Sequence, residues 1–440
     1  MNIKNLFLLL IAALLFACKP ELDDATTTAG SADFAKYVAI GNSLTAGFTD
    51  SELFISGQNN SYPSILANQM LAVGGGEFKQ PMMLDEYGFG RRMLLNAAAQ
   101  RPVSAGVPVN PANFNSIASD GPFNNLGVPG IKSFHLVPGA EAYSNLNPYY
   151  RRFAAQPGVS TVLGEAVAQN PTFFTCWVGS NDVLVYAAAG GASDSITNPA
   201  LFQVVMGAVL QQLTANGAKG AVANVPDITS IPYFSFMNTQ LPYNGLVLTQ
   251  PQQVAALNFG YAPLNAFIKM MGSTDTLAFQ LGQNPFVIAD KELPWGMRQM
   301  RSDELFLLTL SAATDSINHG WGSLAPIPDR YVLTQAEIDR IKSATDSYNN
   351  ILMTLASQFD LAYVDTKGLL EKVSTESIER DGIKFTGTYV TGNTFSLDGV
   401  HITGQAAAMV ANEFIKSINA KYGSALKEVS PVYYSGLFYY

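Results

Sequence analysis

Hydrophobic positions in this chain fall into two alternating patterns: short unbroken runs, and longer segments in which apolar residues recur at helical spacing. Tyr37-Val38-Ala39-Ile40 is the first unbroken run, rich in strand formers and lacking a polar face, as a strand buried on both sides must be. Runs over 172–178, 220–225 and 361–365 repeat it. Helical segments lie between them. One opens at Tyr62-Pro63, where a proline in the first turn loses no hydrogen bond, and closes at Gly74-Gly75-Gly76. Others cover 160–169, 199–213 up to a stop at Gly217, and the stretch from the capping box Thr334-Gln335-Ala336-Glu337 to about 359. Thr403 caps a final helix reaching about 422. Strands alternating with helices imply an α/β fold: a parallel sheet with helices on both faces.

Three stretches escape this alternation. Residues 85–122 are rich in Pro, Asn and Gly and aperiodic, which predicts a long surface excursion. An insertion over 226–258 carries Tyr233, Phe234, Phe236 and Tyr243, and a second over 291–330 follows the run Phe286-Val287-Ile288-Ala289-Asp290. Such stretches either wall a cleft and help select what enters it, or pack as satellite cores under long loops. The aromatic end, Tyr433 to Tyr440, reads as an added edge strand or a packed tail.

The amino-terminal residues read differently. Residues 1–17 place Lys4 ahead of an apolar stretch over 6–16, an export leader too short to span a bilayer. Leu15-Phe16-Ala17-Cys18 resembles a bacterial lipobox, which implies cleavage before Cys18, lipidation of that cysteine and a membrane anchor, with the outer membrane as the expected site. The acidic stretch Lys19-Pro20-Glu21-Leu22-Asp23-Asp24 resembles the signals that carry Bacteroidetes lipoproteins to the cell surface. Residues 18–35 read as a lipidated cysteine and flexible tether, and 36–440 as one domain carrying both insertions. With 48% hydrophobic and 13% charged residues, that domain can bury a large core. A net charge of −9 with no basic runs argues against nucleic acid as a partner. Beyond Cys18 the sole cysteine is Cys176, so the mature chain has no internal disulfide, and its apolar setting predicts an inert thiol.

The chemistry starts where the first strand ends. Gly41 breaks the run, and Ser43 follows at the carboxyl edge of the expected sheet, where open α/β folds bind ligands. Serine is a weak nucleophile at neutral pH and needs a base, itself oriented by a third group. Three histidines are available. His401 has Asp398 three residues upstream; His319 has Asp315 nearby but no strand feeding it; His135 reads as structural. Further signals are the glycine-punctuated Asn124-Asn125-Leu126-Gly127-Val128-Pro129-Gly130 and Trp177-Val178-Gly179-Ser180-Asn181-Asp182, which follows an apolar run.

Together, Gly41-Asn42-Ser43-Leu44, this glycine loop, Gly179-Ser180-Asn181-Asp182 and Asp398-Gly399-Val400-His401 resemble the four blocks of the SGNH hydrolases, also called GDSL lipases and esterases, in the family's order. The resemblance spans about 37–422. It implies a three-layer α/β/α sandwich with a parallel, flavodoxin-like sheet and long insertions. It also implies Ser43 as nucleophile, His401 as base and Asp398 as its orienting acid. The expected oxyanion donors are the backbone N–H of Ser43, that of Gly130, with Gly127 the alternative, and the side-chain amide of Asn181. Asn42 departs from the family's usual aspartate; it keeps an acceptor oxygen and drops a charge beside the nucleophile.

Rival motifs fail: no final glycine completes a G-x-S-x-G elbow, and there is no H-E-x-x-H, Walker A or Cys/His cluster, so neither a metal nor a cofactor is expected. The implied activity is hydrolysis of small-molecule, lipid or glycan carboxylic esters through an acyl-enzyme. Alternatives are an esterase that deacetylates polysaccharides and a non-catalytic surface lipoprotein binding glycan or lipid on the same fold.

Overall fold

The computed structural model describes residues 27–98, 101–192 and 195–438, so the leader and Cys18 lie outside the described residues. The central sheet has five parallel strands: β1 (Tyr37–Gly41), β2 (Asn125–Gly127), β3 (Phe173–Trp177), β4 (Lys219–Ala223) and β5 (Ala362–Val364). Their spatial order is β5-β4-β3-β1-β2, every neighbouring pair parallel. This is the doubly wound order of flavodoxin-like sheets, whose winding reverses between β1 and β3 and opens a crevice at their carboxyl ends. Both strands are wholly buried, which is why they read as unbroken apolar runs; the hydroxyls of Tyr37 and Thr175 pair across them at 2.8 Å.

The helices that bear on the site and the layers are, in chain order, α1 (Ser43–Ala46), α2 (Tyr62–Leu71), α3 (Val162–Ala168), α4 (Asn181–Ala188), α5 (Pro199–Thr214), α6 (Pro232–Gln240), α7 (Pro251–Met270), α8 (Gln335–Gln358) and α9 (Gly404–Tyr422). α2 and α9 pack together on one face of the sheet, while α3, α4, α5 and α8 cover the other, giving three layers. The capping signals behave as their chemistry dictates. Thr334 and Glu337 exchange both bonds of a capping box, and Thr403 accepts the Ala406 N–H at 3.1 Å. Cys176 is buried in β3, and burial pushes its thiol up to about 12.

Four expectations need correction. The segment leading to Gly130 is a strand over Asn125–Gly127, not only a loop. Three residues are too few to show a period. The expected tether to 35 is packed from about residue 28: Phe34 is buried, and the Ser31 N–H donates to the Tyr422 carbonyl at 2.8 Å. One buried aromatic thus holds a segment whose composition alone could not fold. The stretch 85–122 carries a hairpin, Met93–Asn96 against Arg101–Ser104. The first insertion contains α6 and runs into α7, which keeps Pro263 in its interior. α7 survives the lost bond because Leu257 and Ile268 bury against Leu277, Phe279 and Val287.

The insertions both line a cleft and pack as a satellite core. Met237, Phe286, Phe306 and Leu310 form a satellite core, while Tyr233, Phe236, Leu308 and Ala312 face a cleft. The second insertion is tied down by buried Arg298, which bonds Asp290 at 2.8 Å and Glu304 at 2.9 Å. The aromatic carboxyl terminus is a packed tail: the Leu95 N–H donates to the Phe438 carbonyl at 2.9 Å, and Arg92 lies between the Phe54 and Phe438 rings. Among the described residues no helix is long and apolar enough to cross a membrane.

Candidate active site

Ser43 is the first residue of α1, directly after β1, and the turn between them is unusually close. A Cβ on Gly41 would sit 1.9 Å from Thr45 Oγ1, and one on Gly127, its partner across the sheet, 2.3 Å from the Ala46 nitrogen. Paired glycines therefore let α1 press onto the strand ends. The Asn42 side chain caps α1, its oxygen accepting the Leu44 N–H at 2.9 Å. The cap needs an acceptor and not a charge, so asparagine serves where the resembled family has aspartate.

His401 comes to Ser43 from the other end of the chain. The loop 396–401 is closed by the Ser396 N–H donating to the His401 carbonyl at 2.8 Å. His401 Nε2 lies 2.8 Å from Ser43 Oγ, and His401 Nδ1 lies 2.8 Å from Asp398 Oδ2. Asp398 is crowded with donors. Its Oδ1 accepts the Ser396 hydroxyl at 3.0 Å and the N–H groups of Val400 and His401 at 2.9 and 2.8 Å, while Oδ2 also accepts the Ser51 N–H at 2.9 Å. Burial alone would raise this carboxyl. The His401 charge and hydrogen bond, with the His401 and Val400 N–H groups, outweigh it and hold Asp398 well below the usual carboxylate range. The Phe48 ring lies 4.7 Å from the imidazole and covers one side of it.

The other expected residues reach the same sheet edge. Gly130 follows β2 at a φ of 82°, and its N–H has no acceptor among the described residues. The Gly127 N–H is taken by Asn125 Oδ1 at 3.0 Å, which removes Gly127 as the alternative donor. Asn181 opens α4 after β3, buried, and one of its two amide hydrogens goes to the Ile131 carbonyl at 2.9 Å. Next to it, buried Asp182 accepts the Ser133 hydroxyl at 2.6 Å and the Ser133 N–H at 3.0 Å. The Asn181-Asp182 pair thereby clamps the loop that carries Gly130. Burial pushes the Asp182 carboxyl up, against the Ser133 hydrogen bonds that favour its charged form. His135 stacks on Tyr143 at 4.0 Å between ring centres, and His319 is an exposed residue at a helix end; neither reaches Ser43.

Asp50 and Ser51 are supports the sequence did not reveal. Both take left-handed backbone, with φ of 50° and 65°, and they grip the histidine loop: the Leu397 N–H donates to Asp50 Oδ1 at 3.0 Å, and the Asp50 N–H to Ser396 Oγ at 3.1 Å. Their one signal was proximity to Ser43. Burial, together with the Asp398 charge, pushes the Asp50 carboxyl up to about 7, against the Leu397 N–H, Arg92 and His401. In the unfolded chain Asp50 loses its proton near pH 4. Between pH 4 and 7 the folded state holds the extra proton, so this group's contribution to stability falls as pH rises and then levels off. Asp50→Asn keeps the acceptor for Leu397. Its thermal midpoint should change less across pH 4 to 7 than that of the wild type and exceed it above 7 by about 2 to 5 °C. Calorimetry across pH checks this, and two parallel curves would refute it.

A cleft of about 1060 Å³ opens onto His401 and Asp398, walled by Phe48, Tyr233, Phe236, Leu308 and Val400. Fold and site together define a doubly wound α/β protein with a serine–histidine–aspartate relay at the carboxyl edge of its sheet. No protein-family model matches the chain, and comparison with curated proteins gives no match. Among solved structures, it is similar to LAE5, an α/β hydrolase enzyme from the metagenome of Lake Arreo, with a TM-score of 0.35 and 11% identity over 88% of this chain and 96% of that one. An acetylxylan esterase from Geobacillus stearothermophilus gives 0.35 and 10% over 88% and 96%. A lipase/acylhydrolase from Enterococcus faecalis gives 0.34 and 9% over 90% and 99%. At these values the likeness carries no argument about layout, activity or substrate.

Proposed function

We propose that this protein is a serine hydrolase that cleaves carboxylic esters through an acyl-enzyme on Ser43. The observation that carries the reading is the continuous relay from Ser43 Oγ through both His401 nitrogens to Asp398, with 2.8 Å at each link. Ser43 Oγ attacks the ester carbonyl as His401 Nε2 takes its proton. Asp398 keeps the other nitrogen protonated and steadies the imidazolium. The N–H groups of Ser43 and Gly130 and the second amide hydrogen of Asn181 are the donors to the oxyanion. Collapse expels the alcohol, which leaves with the proton from His401. Water then attacks the acyl-enzyme with His401 again as base, releasing the acid and restoring Ser43. A panel of p-nitrophenyl esters from acetyl to palmitoyl, run beside an acetylated glycan, tests the reading; no turnover by folded protein would overturn it.

Asn181→Ala separates the oxyanion role from loop holding. Loss of one oxyanion donor should lower kcat about a hundred- to a thousandfold with KM nearly unchanged. The Ile131 carbonyl also loses its donor, at about 1 to 3 kcal/mol of stability. If the midpoint falls while kcat per folded molecule holds, Asn181 only pins the loop.

We also propose that lipidated Cys18 anchors the protein to a membrane, the outer membrane being the expected one; the support is the apolar leader and the cysteine that ends it. Cys18→Ala should release the protein from the membrane fraction or leave it uncleaved. Membrane partition unchanged in the variant would count against lipidation.

A further inference from the structure

The proposed hydrolase leaves the charges on the cleft unexplained. Asp398 is engaged by His401, and the other charged residues on the cleft are Arg91 and Arg101. Several arginines elsewhere are neutralised: Arg92 by Glu86, Arg298 by Asp290 and Glu304, Arg340 by Glu292 and Arg380 by Glu428. Arg91 and Arg101 form no ion pair with any described residue, although the chain carries 34 acidic residues against 25 basic ones. Arg91 is held in place: its guanidinium donates to the Tyr149 hydroxyl at 3.3 Å, and Tyr149 in turn donates to buried Glu52 at 2.7 Å. Arg101 projects from the hairpin opposite Asn96. In the same cleft, Tyr233, Phe236 and Leu308 of the two insertions offer apolar surface together with Phe48 and Val400.

Resting on the reading of Ser43 as an ester-cleaving nucleophile, we propose that the cleft takes amphiphilic esters whose apolar acyl chain lies on the insertion wall and whose alcohol part carries an anion seated by Arg91 and Arg101. The lining offers two chemistries, apolar surface and free guanidinium groups. An acetyl group would leave most of the apolar wall in water, whereas a chain of about eight or more carbons buries it. A phosphate or carboxylate on the alcohol side receives charge-assisted hydrogen bonds from guanidinium groups that no protein carboxylate occupies. Both phosphate and carboxylate fit this description, so the test carries one of each.

Hydrolysis of 1-octanoylglycerol 3-phosphate is compared with that of 1-octanoylglycerol, and hydrolysis of 4-(octanoyloxy)benzoate with that of its methyl ester. The wild type should favour each anionic ester at least about tenfold in kcat/KM at low salt, through KM, and the preference should shrink at high ionic strength. Arg101→Gln should cut the anionic-to-neutral ratio about tenfold, whereas Lys427→Gln, an exposed charge off the cleft, should leave the ratio unchanged. Preference for phosphate alone or carboxylate alone names the source of the anion. Equal rates on both members of each pair, with Ser43 still turning over the neutral esters, overturn the anion site and leave the hydrolase reading intact. Binding needs no turnover, so calorimetric titration with octyl phosphate and with octanol gives an independent reading. Equal affinity for the two overturns the proposal even if no ester is cleaved.

Discussion

Ser43→Ala is expected to lower ester hydrolysis on the order of a millionfold in kcat, to the level that binding and oxyanion donors alone sustain. The loss is large because the serine and histidine act as a unit: without the hydroxyl, His401 has no proton to take and Asp398 no imidazolium to steady. Folding should not suffer, since the Ser43 hydroxyl bonds His401 and its backbone already lies in α1, so thermal midpoints should agree within about 2 °C. A fluorophosphonate probe should label the wild type once, on Ser43, and leave the variant unlabelled. Mass spectrometry that finds the adduct on another serine, or activity that survives in Ser43→Ala, would remove Ser43 as the nucleophile.

Asp398→Asn should cost about ten-thousandfold in kcat. The reason lies in what surrounds the carboxylate. Every neighbour bonded to it is a donor: the Ser51, Val400 and His401 N–H groups, the Ser396 hydroxyl and His401 Nδ1. An asparagine must put its NH₂ against one set of them. If it faces His401 Nδ1, the imidazole takes the tautomer with Nε2 protonated and can no longer accept from Ser43. If it faces the other oxygen's partners, three donors lose their acceptor and the loop 396–401 loosens. The first case strands only the Ser51 N–H and shows lost activity with a small fall in midpoint; the second adds a fall of several degrees. Activity within tenfold of wild type would mean that Asp398 does not orient His401.

What could be read in advance and what could not divides along physical lines. The strands that became β1, β3, β4 and β5 were legible because burial on both faces leaves an unbroken apolar run, a signal no distant contact is needed to create. The caps at Thr334 and Thr403 were equally legible, since a side chain bonding a backbone N–H two or three residues on is local chemistry. β2 and α7 were not: a three-residue strand has no period, and a helix with Gly260 and Pro263 contradicts its own propensities and holds through packing in the insertion core. Phe34 likewise turned an expected tether into part of the core.

The same division runs through the site. Sequence by itself determined which residue types the chemistry can use and that Ser43, Gly130 and Asn181 follow expected strands or loops, because the carboxyl edge of a parallel sheet is implied by strand order alone. It also narrowed the base to His401, through the family's block order. Tertiary structure decided the rest. It set Ser43 and His401 2.8 Å apart across 358 residues of chain, and it removed Gly127 by spending its N–H on Asn125. It made Asp182 a clamp on the Gly130 loop, and brought Asp50 and Ser51 under Asp398 in left-handed backbone. Each of these depends on the direction of a hydrogen bond between segments distant in the chain. No local pattern encodes that direction, and only the closed packing of the sheet, its helices and the two insertions brings the partners within reach.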